Sequence, residues 1–223
     1  MALVARRRDR LEALAAEIRQ TGRRAAVITC DVTRDGDLER AAGEARAALG
    51  KIDVVVANAG FGVAGTLERL TLDDYRRQFE TNVFGVLRTI YATLDDLKKT
   101  RGRLVIIGSV SGHLGVPASS AYSMSKFAVH GLAAALGHEL ARSGVSVTLI
   151  SPGFVESEIH QVDNHGVWRP SARTIFRAAV ARRRREVVIT GFGKLAVLLQ
   201  RHVPGLLAAI IRRFGIKGRE EPR

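Results

Sequence analysis

Short apolar runs alternate along this chain with longer amphipathic stretches. Ala2–Ala5 reads as a very short strand, and Asp9–Gln20 as a helix with Leu11, Leu14, Ala15 and Ile18 on one face. Ala25–Cys30 predicts the next strand, a helix follows from about Asp37 to Leu49, and Asp53–Asn58 predicts a third strand. A long helix is expected over Leu72–Lys98, a fourth strand over Arg103–Ile107 and a helix over Ser119–Arg142. Val145–Ile150 and Glu186–Thr190 complete the predicted strands. Strands that alternate with helices imply an α/β fold with a parallel sheet and right-handed crossovers.

Composition narrows this picture. At 223 residues, with 46% hydrophobic and 26% charged positions, the chain suits one α/β domain with a full core. The single cysteine, Cys30, ends an apolar run, excludes an internal disulfide framework and reads as a buried thiol in a reducing compartment. The six histidines are scattered, without metal-ligand spacing. Of the net charge of +13, residues 167–223 carry +11, from 14 Lys/Arg against 3 Asp/Glu. The arginines at 6, 7, 8 and 10 lead into a charged amphipathic helix with no apolar core of signal-peptide type, so the expected location is cytoplasmic.

The chemistry concentrates between Gly108 and Lys126, GSVSGHLGVPASSAYSMSK. A Ser/Gly segment after a strand lies at the carboxyl edge where open α/β sheets bind ligands. From Ser119 the pattern turns helical, so Tyr122 and Lys126, four residues apart, share one face. A cation beside a phenol favours the phenolate and lowers a pKa that is otherwise about 10, which makes Tyr122 a candidate general acid/base. Ser109 at the strand end would hydrogen-bond the same substrate oxygen.

Ser109, Tyr122 and Lys126, together with Asn58-Ala59-Gly60, Asn82 in TNVFG and Pro152-Gly153 after a strand, resemble the short-chain dehydrogenase/reductase family. The likeness runs from about Ala2 to about Ser157 and more loosely to Gly191. It implies a Rossmann-type doubly wound parallel sheet with helices on both faces, an incomplete domain over 1–191 and a basic amphipathic tail over 192–223. It also implies an oxidoreductase that interconverts a carbonyl and an alcohol on a small or lipid-like hydrophobic substrate. In that resemblance Asn82 supports a water leading from Lys126 to solvent.

Such a sheet normally opens with a strand, a glycine-rich turn and a helix that receives the pyrophosphate. Here MALVARRRDRLEALAAEI matches the second strand and helix instead, and Gly60, Gly62 and Gly65 follow the wrong strand to replace that turn. In the order 3-2-1-4-5-6 the first strand is central, so its absence is expected to leave two ribbons facing a gap, or collapsed with altered pairing. The expectation is that Met1 is an internal start.

Carried over by the resemblance, Arg6 after the first strand would pair the 2′-phosphate of NADP, with Arg7 assisting and NAD as the alternative; an ordinary charged helix start would look the same. Asp31 would lie near the adenine with Val32 against the ring, or cap the following helix. Asn58 and Gly60 would face the adenosine ribose, Pro152 and Gly153 would pass the nicotinamide, and Val155 and Ser157 would bond its carboxamide end. Lys126 would hold the nicotinamide ribose and Tyr122 would lie beside it. The segment with His160, His165 and Trp168 would close over substrate.

Leu195–Phe214 is apolar but interrupted by Gln200-Arg201-His202 and Pro204-Gly205, short of the roughly 20 uninterrupted apolar residues of a spanning helix. Its basic flanks suit an anionic membrane surface, packing on the body or a homo-oligomer contact. Nucleic acid is disfavoured, because the basic residues alternate with aliphatic runs rather than with aromatics. The alternative to an enzyme is a catalytically inactive remnant that binds a membrane or a partner.

Overall fold

The computed structural model describes residues 1–153, 186–188 and 191–203. The strands are β1 (Ala2–Ala5), β2 (Ala26–Thr29), β3 (Val54–Ala57), β4 (Arg103–Ile107), β5 (Ser146–Ser151) and β6 (Glu186–Val188). Between and after them lie α1 (Arg8–Gln20), α2 (Asp37–Leu49), α3 (Leu72–Phe79), α4 (Gly85–Thr100), α5 (Ser120–Glu139) and α6 (Gly191–His202). Every strand pairing is parallel.

Local chemistry sets several of these boundaries. Thr71 and Asp74 form a reciprocal capping box at the start of α3, with Thr71 N–H donating to the Asp74 carboxylate at 2.9 Å and Asp74 N–H to the Thr71 hydroxyl at 3.3 Å. The helix expected over Leu72–Lys98 is instead divided, because Glu80–Phe84 forms a π-helical turn between α3 and α4. Such a turn widens the backbone ladder by one residue and is found most often at functional sites. It carries Asn82. The helix expected to reach Arg142 ends at Glu139 and passes into a 3-10 turn over Ala141–Ser143, closed by Gly144 at φ 74°.

The strands form two sheets. One holds β1 and β2; the other has the order β3-β4-β5-β6. The main core lies on the larger sheet, where Val86, Ile90 and Leu97 of α4 and Val129 and Ala133 of α5 pack against Val55, Leu104, Ile106, Val147 and Leu149. Smaller clusters join α1 to the β1–β2 ribbon through Leu3, Leu11 and Ala15, and α2 to β2 through Ile28, Leu38 and Ala41.

The strands are divided between two sheets with no ladder between β1 and β3, in keeping with the first of the two outcomes expected from the sequence. Among the described residues, β1 pairs only with β2 and β3 only with β4. In a parallel ladder the backbone groups of alternate residues point to opposite neighbours. Arg103 N–H bonds to Asp53 O, so Val55 and Ala57 share that side and the backbone of Val54 and Val56 points to the other edge. Alternation also turns the side chains of Val54 and Val56 away from the core, leaving them 36% and 52% exposed, while Val4 on β1 is 40% exposed.

The two sheets are held together through their helices and loops. Arg46 of α2 pairs with Asp96 of α4 at 2.7 Å, and Arg88 of α4 reaches Asp35 at 3.2 Å and Glu80 at 2.6 Å. A Cβ built on Gly85 would lie 2.7 Å from the Val32 methyl, so glycine there lets the loop after β2 approach α4.

An open apolar strand edge promotes intermolecular pairing. Val54→Lys and Val56→Lys are therefore expected to lower heat-induced light scattering, whereas Leu67→Lys, at a residue 75% exposed away from any strand, leaves it unchanged. Equal scattering from all variants would rule out the edge as the source.

Candidate active site

The carboxyl end of β4 and the first turns of α5 build the site. Gly108 N–H continues the ladder to Ile150 O at 2.8 Å, and Val110 N–H bonds to Pro152 O at 2.9 Å, which ties the segment after β4 to the segment after β5. Ser109, in extended backbone, caps the 3-10 turn Val110–Gly112 by accepting from Ser111 N–H at 3.1 Å. That turn lies so close to α5 that a Cβ on Gly112 would stand 2.6 Å from the carbonyl oxygen of Lys126. Glycine there seats the Ser109 turn against the helix.

Tyr122 is half-buried, and its phenol lies close enough to Ser109 for that side chain to favour the phenolate. Lys126 is 4% exposed; its ammonium donates to Ile107 O at 2.8 Å and lies 5.6 Å from the centre of the Tyr122 ring. The structure thus brings Ser109, Tyr122 and Lys126 together as the sequence implied.

The electrostatics correct one expectation. Burial pushes the Tyr122 phenol above its ordinary value, against the opposing hydrogen bond from Ser109, so lysine does not bring the phenol down in this state. Desolvation outweighs the effect of Ser109 on the phenol, and burial likewise lowers Lys126 to about 8. At neutral pH this leaves a protonated phenol, able to donate.

Asn82 is buried, and its side chain is committed to the neighbouring backbone. Its Oδ1 accepts from Phe61 N–H at 3.1 Å, and its Nδ2 donates to Phe61 O at 3.0 Å and to Ser125 Oγ at 3.1 Å. A Cβ on Gly60 would lie 3.1 Å from Asn82 Oδ1 and 3.8 Å from Lys126 Nζ, so Gly60, Asn82 and Lys126 converge. The sequence reading missed Gln78, Ser125 and Gly112 here. A buried glutamine four residues before Asn82 leaves no mark in hydropathy, since α3 is polar on most positions.

The remaining predicted positions line the carboxyl ends of the strands. Arg6 follows β1 and is exposed; Asp31 and Val32 follow β2; Asn58 and Gly60 follow β3; Pro152 and Gly153 follow β5. Burial raises the Asp31 pKa, but hydrogen bonds from Thr33 N–H at 3.0 Å and its hydroxyl at 2.8 Å, with Arg6 and Arg34 nearby, bring it below its ordinary value. Asp31 therefore bonds within its own loop, while its N–H donates to Asp37 at 2.8 Å in the first turn of α2. Val32 packs with the cluster beneath that helix. Val155 and Ser157, like His160, His165 and Trp168, lie outside the described residues.

Lys126 presents a buried cation at the end of β4, and Arg6 an exposed guanidinium just after β1. Among the described residues no glycine-rich turn leads from a strand into a helix to seat the pyrophosphate. His113 Nε2 lies 3.0 Å from Ser151 Oγ and its ring 4.4 Å from that of His130, adding a polar brace under the Ser109 turn.

Lys126 supplies a pH test. Its pKa is lowered from 10.5 to about 8 in the folded chain, so between these values the unfolded chain holds more protons. Folded stability then rises with pH across that window, and the cost of the buried charge is present below it. Relative to Lys126→Met, the wild type should gain about 2 kcal/mol between about pH 7.5 and about pH 9.5 in denaturant titrations. A gap that does not change with pH would show that Lys126 is not a strained buried cation.

Comparison with known proteins agrees with this geometry. The family model for short chain dehydrogenase matches residues 1–168. Human (Homo sapiens) retinol dehydrogenase 8 is 37% identical over 153 residues, covering 68% of this chain and 48% of that protein. Dehydrogenase/reductase SDR family member 7B of Mus musculus is 28% identical over 211 residues, covering 87% of this chain and 65% of its own length. An alcohol dehydrogenase from Thermococcus sibiricus, solved with 5-hydroxy-NADP, superposes with a TM-score of 0.71 at 27% identity, covering 84% of each chain. The chain thus spans from 48% to 65% of the length of these two curated relatives. With its matched residues, its parallel strands and its Ser-Tyr-Lys geometry in agreement, the chain belongs to the short-chain dehydrogenase/reductase family.

Proposed function

We propose that this protein is an NADP-preferring oxidoreductase that interconverts a carbonyl and an alcohol on a hydrophobic substrate. The observation that carries the reading is the half-buried Tyr122 phenol next to Ser109, with the buried Lys126 ammonium 5.6 Å from the centre of its ring. The NADP-bound relative and the exposed Arg6 near Asp31 support the choice of cofactor. The relative named for retinol supports an apolar substrate.

In the reducing direction the cofactor, when bound, supplies a hydride to the carbonyl carbon. Ser109 holds the carbonyl oxygen by a hydrogen bond, and Tyr122 gives its proton to that oxygen as negative charge develops there. The O–H bond of Tyr122 breaks as the new alcohol O–H forms. Lys126 and Ser109 then stabilise the phenolate until a proton returns from solvent. Arg6 would pair the 2′-phosphate, Asn58 and Gly60 would face the adenosine ribose, and Lys126 would hold the nicotinamide ribose. Pro152, Gly153, Val155 and Ser157 would flank the nicotinamide, and Asn82 would support the proton path beside Lys126.

NADPH titrated against this chain, and against the chain extended upstream by a strand and glycine-rich turn, tests the reading. Binding by at least one is expected, and binding by neither would remove it. In whichever form binds, Tyr122→Phe is expected to reduce turnover by about 100-fold or more with little change in NADPH affinity. Retained turnover would refute the role of Tyr122.

A separable reading concerns the C-terminal segment as a membrane-surface contact. Leu195, Leu198 and Val203 are more than 40% exposed, while Ala196 and Leu199 pack with Leu114 and Val116 of the body. Among the described residues, no helix is long and apolar enough to cross a membrane. The full chain is expected to float with anionic liposomes at low salt and not with neutral ones. Absence from both floated fractions would exclude a membrane role.

A further inference from the structure

Gln78, in the last turn of α3, is fully buried and lies outside the catalytic set. Its Oε1 accepts from Val63 N–H at 2.7 Å and its Nε2 donates to Phe61 O at 2.8 Å. One turn later Asn82 binds both backbone groups of Phe61. The segment Phe61–Val63 belongs to no strand or helix, so two side-chain amides supply what a β-ladder would otherwise provide for these buried main-chain groups.

The segment so held lies on the catalytic tyrosine. A Cβ built on Gly62 would stand 3.6 Å from Cδ2 of Tyr122, so the loop backbone lies against the edge of the ring. Phe61 and Val63 on either side pack on Ala121, the residue before Tyr122. Further along, Gly65 N–H bonds to Ala118 O at 2.9 Å, just before α5 begins.

We propose that Gln78 is a positioning residue: its amide clamps Phe61–Val63 against Tyr122 and thereby fixes the phenol toward Ser109. The glutamine must both accept and donate, which makes its replacement by glutamate informative. A carboxylate keeps the bond from Val63 N–H but places its second oxygen against the carbonyl of Phe61, two acceptors facing each other. A protonated carboxyl restores the donor. Burial raises the pKa of such a carboxyl, so restoration occurs at mildly acidic pH.

The test reads Tyr122 directly by lactoperoxidase-catalysed iodination, which labels tyrosine at acidic and alkaline pH, and peptide mapping, with exposed Tyr91 as internal reference and buried Cys30 as reporter of the whole fold. At about pH 8, Gln78→Leu and Gln78→Glu are expected to raise iodination of Tyr122 relative to Tyr91 roughly tenfold over wild type, since loss of these bonds eases local opening. At about pH 5.5, Gln78→Glu is expected to return to within about twofold of wild type while Gln78→Leu does not. A pyridyl disulfide reagent, which reacts at both pH values, should find Cys30 protected throughout.

Unaltered iodination in Gln78→Leu, or an excess in Gln78→Glu that is the same at both pH values, would overturn the proposal. So would Cys30 reacting in step with Tyr122, because the glutamine would then hold the whole fold rather than this loop. The catalytic consequence rests on the proposed role of Tyr122, under which turnover of Gln78→Glu relative to wild type recovers as pH falls. Equal turnover of wild type and Tyr122→Phe would sink that role and leave the iodination result to judge the clamp.

Discussion

A lysine ammonium held inside the protein against the carbonyl of Ile107 is the constraint around which the site is arranged. A buried cation is costly unless the surrounding structure fixes its partners. Here α5 is anchored by Val129 and Ala133 in the core of the β3–β6 sheet, so Lys126 reaches the end of β4. The same anchoring sets Tyr122, one turn earlier, beside Ser109. Gly112 completes the arrangement by letting the turn after Ser109 sit against the helix backbone. Serine, tyrosine and lysine are thus placed by one strand end and one helix face rather than by three independent loops.

Around that centre the polar residues satisfy one another. Asn82 reaches Phe61 on one side and Ser125 on the other, and the Ser125 hydroxyl donates to Tyr122 O at 2.7 Å. The π-helical turn advances Asn82 relative to a regular helix and directs its amide into the site. Polar side chains buried in this way restrict the active-site walls to one arrangement, because each alternative leaves a main-chain group without a partner.

The divided sheet places the two ends of the candidate cofactor site on different structural units. Arg6 and Asp31 belong to the β1–β2 ribbon, whereas Ser109, Tyr122 and Lys126 belong to the larger sheet. No ladder joins the two among the described residues. Their registration depends on α2 against α4, on the Arg46–Asp96 pair and on Arg88 reaching across to Asp35. Partly exposed ion pairs hold geometry less firmly than a shared ladder, so the β1–β2 ribbon is tied to the larger sheet less firmly than that sheet's strands are to one another.

Much of this was written in the order of residues. Apolar runs of four to six residues and 3.6-residue periodicity determined the strands and helices, because side-chain partition between core and water is a local property of the pattern. The spacing of Tyr122 and Lys126 determined their shared face. Tertiary structure alone decided the direction of the Tyr122 pKa, since desolvation depends on everything packed around the hydroxyl. It alone decided that the Leu72–Lys98 stretch breaks at a π-helical turn, and that Gln78 and Asn82 meet Phe61 across the fold. Hydrogen bonds between residues far apart in the chain leave no periodic trace in it, so packing had to bring them into view.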